Sequence, residues 1–240
     1  MRPLRGSHLH VLIVGVVALW FAAIPAAQIQ PVAWFIFVDD LHLEFRTTGS
    51  LRQVIRTVIR TLVRDGDLGA MHATGPSSVK IDPTADRQRL DAVVKNVTGN
   101  GMKPSDTIVP DDFPHIQYRT RIALDAAHRA IRTLEAIQRY RRVLIYVSNG
   151  YLNLDQSRLM PDRGDLAYEA MRSEVAIYAL DPRGFIGPTT EAQLIEPAWN
   201  AYLEETRAGL RTIADGVGGF VLTEGDLVHG LQRIDMAVRR

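Results

Sequence analysis

Apolar residues along this chain fall into two kinds of run. Ala33–Val38, Val143–Val147 and Val175–Leu180 are short and continuously apolar, and each closes on polar residues: Asp39 and Asp40, Ser148 and Asn149, and Asp181. Such runs, with no polar alternation, predict strands buried on both faces of a parallel sheet. Elsewhere the apolar positions recur at helical spacing. Leu51, Val54, Ile55, Val58, Ile59 and Leu62 form a stripe within Ser50–Val63, opposite Arg52, Arg56, Arg60 and Arg64. Ile122, Leu124, Ala127, Ile131, Leu134 and Ile137 form a second within Thr120–Tyr140. Both predict amphipathic helices laid on a sheet.

Weaker signals complete the pattern. Leu68–Ala73, an edge segment at Val79–Ile81 and Phe220–Leu222 are predicted strands. A helix is expected to open after Asp82 and run to about Val97, with Thr84 or Asp86 as its cap. Others are expected at Leu166–Ser173, Trp199–Ala214 and Asp226–Val238, and Gly216, Gly218 and Gly219 predict a tight helix-to-strand turn. Between Thr98 and Arg119 the periodicity gives way to Gly, Pro, Asn and Asp, which predicts a long loop of the kind that is either functional or disordered. Apolar strands alternating with amphipathic helices define the fold class. It is α/β, a three-layer doubly wound, mostly parallel central sheet with helices on both faces. Ligands of such sheets bind outside the carboxyl ends of the strands.

Composition narrows the function. The chain has 240 residues, 46% hydrophobic and 23% charged, as an ordinary globular protein does. Arg2 and Arg5 precede an uncharged run from Val11 to Ile24, and Pro25, Ala26, Ala27 and Gln28 follow. Residues 1–27 therefore read as a signal peptide or an uncleaved N-terminal anchor, since the run falls short of the ~20 residues of a spanning helix. The remainder, 28–240, reads as one exported domain, periplasmic or secreted, touching a membrane only if that segment stays attached. Without Arg2 and Arg5 the formal charge moves from +1 to −1 (+1 − 2 = −1). No basic surface is left for nucleic acid. The absence of cysteine excludes disulfides, thiolate metal sites and a cysteine nucleophile.

Candidate chemistry gathers at Asp39, Asp40, His42 and Glu44. Carboxylates at the end of a buried strand either accept backbone N–H groups or bind a cation. An acidic pair after a first strand is also found in phosphorylation receiver domains, but no phosphoacceptor Asp ends a third strand here. Catalytic signatures are missing as well: His42, His72, His115, His128 and His229 are scattered, with no HExxH, GxSxG or phosphate loop.

The stretches FIFVDDLHL, RRVLIYVSNG and VAIYALDPRGF, followed by LRTIADGVGGFVL, together resemble the von Willebrand factor type A (VWA) family, and more narrowly its exported bacterial members. The resemblance covers Ala33 to about Val238. It implies a metal-ion-dependent adhesion site in which DxSxS, a Thr and a second Asp hold Mg²⁺ and leave a position for an acidic group of a partner. Asp39 matches the first Asp, Thr120 the Thr, and Asn149 the second Asp, while the serines fall on Leu41 and Leu43. The implied site is degenerate, with Asp40, His42 and Ser148 as auxiliary donors. The expected function is recognition of a protein or peptide, without catalysis. The alternatives are a metal-dependent hydrolase using Asp39, Asp40 and His42, or a metal-free structural VWA scaffold.

Overall fold

The computed structural model describes residues 30–108, 113–152 and 163–240. The leader-like segment 1–27 and most of the irregular stretch after Gly150 lie outside the described residues. In chain order the strands are β1 (Val32–Val38), β2 (Leu68–Ala73), β3 (Lys80–Thr84), β4 (Arg141–Val147), β5 (Val175–Leu180) and β6 (Val221–Leu222). The helices are α1 (Thr48–Leu62), α2 (Arg87–Val93), α3 (Pro104–Ile108), α4 (Phe113–Glu135), α5 (Arg163–Arg172), α6 (Arg183–Ile186), α7 (Thr190–Leu194), α8 (Glu196–Ala214) and α9 (Leu227–Arg239).

The sheet has the order β3-β2-β1-β4-β5-β6, with all neighbours parallel except the β2–β3 pair. β1 is central, and all seven of its residues are buried. Its alternation divides the core. Trp34, Ile36 and Val38 pack with the α1 stripe and with Leu231 and Ile234 of α9. Phe35 and Phe37 pack with Ala123, Ala127 and Ile131 of α4 and Leu210 and Ile213 of α8. Each such large side chain contributes about 1.5–3 kcal/mol of transfer free energy, so the two apolar layers fix the register of the central strand. Pro83, which has no N–H to donate, sits in the edge strand β3, where a missing ladder bond is tolerated.

Helix ends follow capping chemistry. Asp86 accepts from Arg89 N to cap α2, and Asp226 accepts from Val228 N and His229 N to cap α9. Gly218, at φ 78°, turns the chain from α8 toward β6 as the glycine cluster predicted. Two expectations are corrected. The segment Thr98–Arg119 is not one loop, because α3 starts at Pro104 and α4 already at Phe113. Pro104 and Pro114 stand in first turns, where the missing N–H costs no helix bond, so prolines that read as breakers are starters. At its other end α4 stops at Glu135, short of Tyr140, because Arg139 at φ 69° turns the chain so that Arg141 pairs with Val32.

At the amino edge of the sheet, Asp67 is buried and joins three elements. It accepts from Val32 N at 2.9 Å, Trp34 Nε1 at 3.1 Å and Arg64 N at 2.9 Å, and pairs with Arg239 at 2.5 Å. Burial pushes its carboxyl up, but Arg239 and the three N–H donors outweigh burial and hold it below the usual carboxylate range. Asp67→Asn therefore should cost about 3 kcal/mol at neutral pH, read as the shift in denaturant midpoint. An acid with a lowered folded pKa stabilises fully above its unfolded value, about 3.9, and loses that contribution as pH falls through the folded value. The gap between the two proteins should thus be widest at neutral pH and close below about pH 4; a gap that widens on acidification contradicts this assignment.

Candidate functional site

Because β1, β4 and β5 run parallel, their carboxyl ends lie side by side, and the residues that close them meet at one edge. Asp39 follows β1 and is fully buried. Its amide donates to Val147 O at 2.9 Å, which continues the ladder and fixes the carboxylate between the two strand ends. Thr74 Oγ1 donates to Oδ1 at 3.1 Å, and His42 Nδ1 lies 2.9 Å from the same oxygen. Ser148 Oγ and Tyr151 OH donate to Oδ2 at 2.8 and 2.7 Å. An ionised carboxylate offers about four acceptor positions, so these four donors saturate it.

The tyrosines extend the network inward. Tyr146 and Tyr151 share a hydroxyl contact; with Tyr151 donating to Asp39, the Tyr146 O–H donates to Tyr151. Burial, reinforced by the Asp39 charge, pushes both phenols well above their ordinary range and keeps them protonated as donors. For Asp39, burial pushes the carboxyl up, yet the charge of His42 and the bonds from His42, Tyr151 and Ser148 outweigh it, and the group is held below its ordinary value. Gly150 makes this possible: at φ 79°, it approaches α8 so closely that a Cβ would stand 2.2 Å from Thr206 O. The turn brings Tyr151 back into the core.

Asp40 has a different task. Its carboxylate accepts from Gly75 N at 3.2 Å and Ser77 N at 2.5 Å, holding the β2–β3 turn, and its carbonyl accepts from Asn100 N. Burial pushes its carboxyl up despite those bonds. Arg119 donates to Leu41 O and Asn100 O, tying the β1 loop to the segment before α3. Its guanidinium neighbours Asp39 and Asp40, whose charges offset part of the burial that lowers its pKa.

Thr120 and Asn149 join Asp39 at this edge. Thr120, His42, Asn149, Arg119 and Tyr151 line one small cavity of about 40 Å³. Thr120 Oγ1 donates back to Ile116 O at 3.0 Å within α4. Asn149 leaves its Oδ1 buried without a hydrogen-bond partner, as are His42 Nε2 and Glu44 Oε1. Beside the cavity, Asp181 at the end of β5 is fully buried and grips Arg183 through Oδ1–Nε at 2.8 Å and Oδ2–Nη2 at 3.0 Å, and Arg207 at 3.0 Å.

These contacts test the site against a hard divalent cation, which wants several open oxygens in near-octahedral order. Both oxygens of Asp39 are taken by protein donors, Asp40 is committed to a turn, and Leu41 and Leu43 bring no ligand atom. Among the described residues no group of three or more His, Asp or Glu is arranged to hold a metal. The donor set as arranged does not fit Mg²⁺.

Sequence reasoning assembled Asp39, Thr120, Asn149, Ser148 and His42 but missed Tyr146, Tyr151, Thr74, Arg119 and Arg183. Tyr146 was hidden inside an apolar strand, where its hydroxyl was the one polar atom needing a partner. Arg183, directly after the Asp181–Pro182 end of β5, carried a signal that went unused.

No protein-family model and no curated protein sequence matches the chain. Solved structures do. The open conformation of the pilus adhesin SpaC from Lactobacillus rhamnosus GG is 12% identical, covering 87% of this chain and 30% of that one, with a TM-score of 0.51. An aerotolerance-related membrane protein from Bacteroides fragilis NCTC 9343 is also 12% identical over 86% of this chain and 98% of its own, at 0.49. Manganese-loaded TRAP protein from Plasmodium vivax shares 12% identity over 88% and 74%, at 0.45. At 12% identity the likeness to SpaC concerns architecture alone, and it agrees with the mostly parallel six-stranded sheet of this chain, a VWA-like α/β fold.

Proposed function

We propose that the protein is an exported interaction domain that binds a partner protein at the carboxyl edge of its sheet and does so without a bound cation. The observation that carries this reading is the saturation of Asp39 by His42, Thr74, Ser148 and Tyr151. The chain supplies, through those donors and the nearby Arg119, the compensation a metal would otherwise give a buried acid. The loop after Asp39, the first turns of α4 ahead of Thr120 and the turn from Asn149 to Leu152 form the contact face.

Exposed apolar side chains support a protein partner. Phe45 is 65% exposed, Tyr118 55% and Leu194 82%. Phe45 stands next to Arg46, whose ion pair with Glu191 at 3.0 Å joins the β1 loop to α7, the helix of Leu194. Tyr118 adjoins Arg119. Aromatic and aliphatic anchors around a partly polar centre are the usual anatomy of a recognition surface. Export rests on the basic, then apolar, then small-residue order of residues 1–27; among the described residues no helix is long and apolar enough to cross a membrane.

His42 favours a second reading. A buried acid orients its Nδ1, Nε2 is buried without a partner, and the ring lines the small cavity, the elements of an oriented base. Turnover in an ester and phosphate panel that disappears in His42→Ala would replace the binding reading with a hydrolytic one.

The principal test is calorimetric. Millimolar Mg²⁺, Mn²⁺ or Ca²⁺ should give no saturable heat with the full chain, and saturation abolished by Asp39→Asn would overturn the cation-free reading. Tyr151→Phe removes one donor from Asp39 and the acceptor of Tyr146, so it should lower stability by about 1–3 kcal/mol in chemical denaturation. An unchanged midpoint contradicts the network. For the partner face, photoreactive residues at positions 45 and 194 should yield a shared cross-linked product in the producing cell, and a control at Tyr168 on α5 should not. Equal labelling from all three positions contradicts a localised face.

A further inference from the structure

The small cavity beside the Asp39 network is bounded on one side by a segment that the fold holds lightly. Its interior of about 40 Å³ is far below the ~300–1,000 Å³ of small-ligand pockets. His42, Thr120 and Tyr151 line it from the body of the domain, Met102 and Pro104 from the segment that begins α3, and Trp199 from α8. The chain on either side of Gly101 is fixed in different ways. Up to Gly101 it is clamped to the loop after β1. Asn100 N donates to Asp40 O and Gly101 N to Leu43 O, both at 2.7 Å, and Cβ atoms at Gly99 and Gly101 would stand 2.5 and 2.9 Å from the backbone of that loop. Past Gly101 the character changes. Of residues 102–106, Pro104 alone is buried, Met102 is half-buried, and Lys103, Ser105 and Asp106 are exposed. Segments with little buried apolar surface and solvent-exposed hydrogen bonds open at a small fraction of the global unfolding free energy.

A single carboxylate fastens this segment. Glu191 of α7 accepts through Oε1 from Ser105 Oγ at 2.6 Å and Ser105 N at 3.4 Å, and through Oε2 from Arg46 Nη1 at 3.0 Å. It thereby ties the start of α3 and the loop after β1 to the same short helix. The bonds from Ser105, with the charges of Arg46 and Lys103, hold it below the ordinary carboxylate range. Arg46 and Ser105 are exposed and Glu191 is half-buried. Contacts of this kind are weak and screened by salt, which suits a fastening that releases.

We propose that residues 102–106 form a lid over the small cavity, hinged after Gly101 and latched by Glu191 to Ser105 and Arg46. Release of the latch opens the cavity, and with it the edge of the Asp39 network, to solvent. The latch lies within the face assigned above to a partner, since Phe45 adjoins Arg46 and Leu194 follows Glu191 by one helical turn. The lid goes beyond that reading and does not depend on it, because its motion belongs to the free chain.

The chain has no cysteine, so a single introduced thiol reports opening without interference. Thr120→Cys places one in the cavity at a residue 3% exposed, and Ser173→Cys places one at an equally buried position between α5 and β5, at the opposite edge of the sheet. Labelling of the full chain by a small methanethiosulfonate reagent is timed for each, with Glu191 intact and with Glu191→Ala. At position 120 the intact latch should hold labelling far below the rate of an exposed thiol, and Glu191→Ala should speed it about fivefold. Position 173 should not respond. Should Thr120→Cys fail to fold, Ile116→Cys, a buried residue lining the same cavity, takes its place. Labelling in the cavity that Glu191→Ala leaves unchanged overturns the latch. Equal acceleration at position 173 assigns the effect to loosening of the whole domain and overturns it as well. Labelling in the cavity at the rate of an exposed thiol while Glu191 is intact shows that nothing covers it and overturns the lid.

Discussion

A carboxylate sealed at the end of a parallel strand must have each lone pair answered, or folding leaves a bare charge in a low-dielectric interior. That requirement on Asp39 organises the carboxyl edge. Its four donors come from three places in the chain: Thr74 after β2, His42 in the loop after β1, and Ser148 and Tyr151 after β4. None can move without uncovering the charge, so the loops they belong to are held in one arrangement. The cost of breaking a buried pair, several kcal/mol, is large against the 5–15 kcal/mol that holds a typical domain together.

The same requirement explains why the site resembles a cation site without its chemistry. A strand-end Asp with a Thr and an Asn nearby has the outline of a metal centre. Whether it holds a cation depends on whether lone pairs remain open. Leu41 and Leu43 replace two oxygens with apolar groups, and Tyr151 places a hydroxyl on the carboxylate. Gly150 is the precondition, because only a residue without Cβ fits against Thr206 O while turning Tyr151 inward.

Much of the fold was legible because it rests on local patterns. The continuous apolar run of β1, the stripe of α1 and the Asp226 cap each show their cause within a few residues. The start of α4 was not legible, since Pro114 disfavours a helix interior and favours a helix start, and position relative to the first turn decides which applies. Asp39 and Asn149 could be gathered at one edge from the strand ends, and Thr120 joined them only through the resemblance to the VWA family. The partners of Asp39 could not, because Tyr151 reaches it across 112 positions and Thr74 across 35. Sequence shows which groups need partners and leaves open which distant group answers.

The two edges of the sheet set the same kind of buried acid in different surroundings. At the amino edge, Asp67 gathers Val32, Trp34, Arg64 and Arg239, and its hydrogen-bonding capacity is spent inside the protein. At the carboxyl edge, Asp39 and Asp181 are satisfied just as fully, yet the groups around them are not: His42 Nε2, Glu44 Oε1, Asn149 Oδ1 and Arg183 Nη1 are left over. Buried acids fix the orientation of His42 and Arg183, and each residue then presents its remaining nitrogen away from the acid. A side chain bonded to a satisfied carboxylate keeps little rotational freedom, so His42 and Arg183 are held in one orientation at this edge while Asp67 holds the opposite one together.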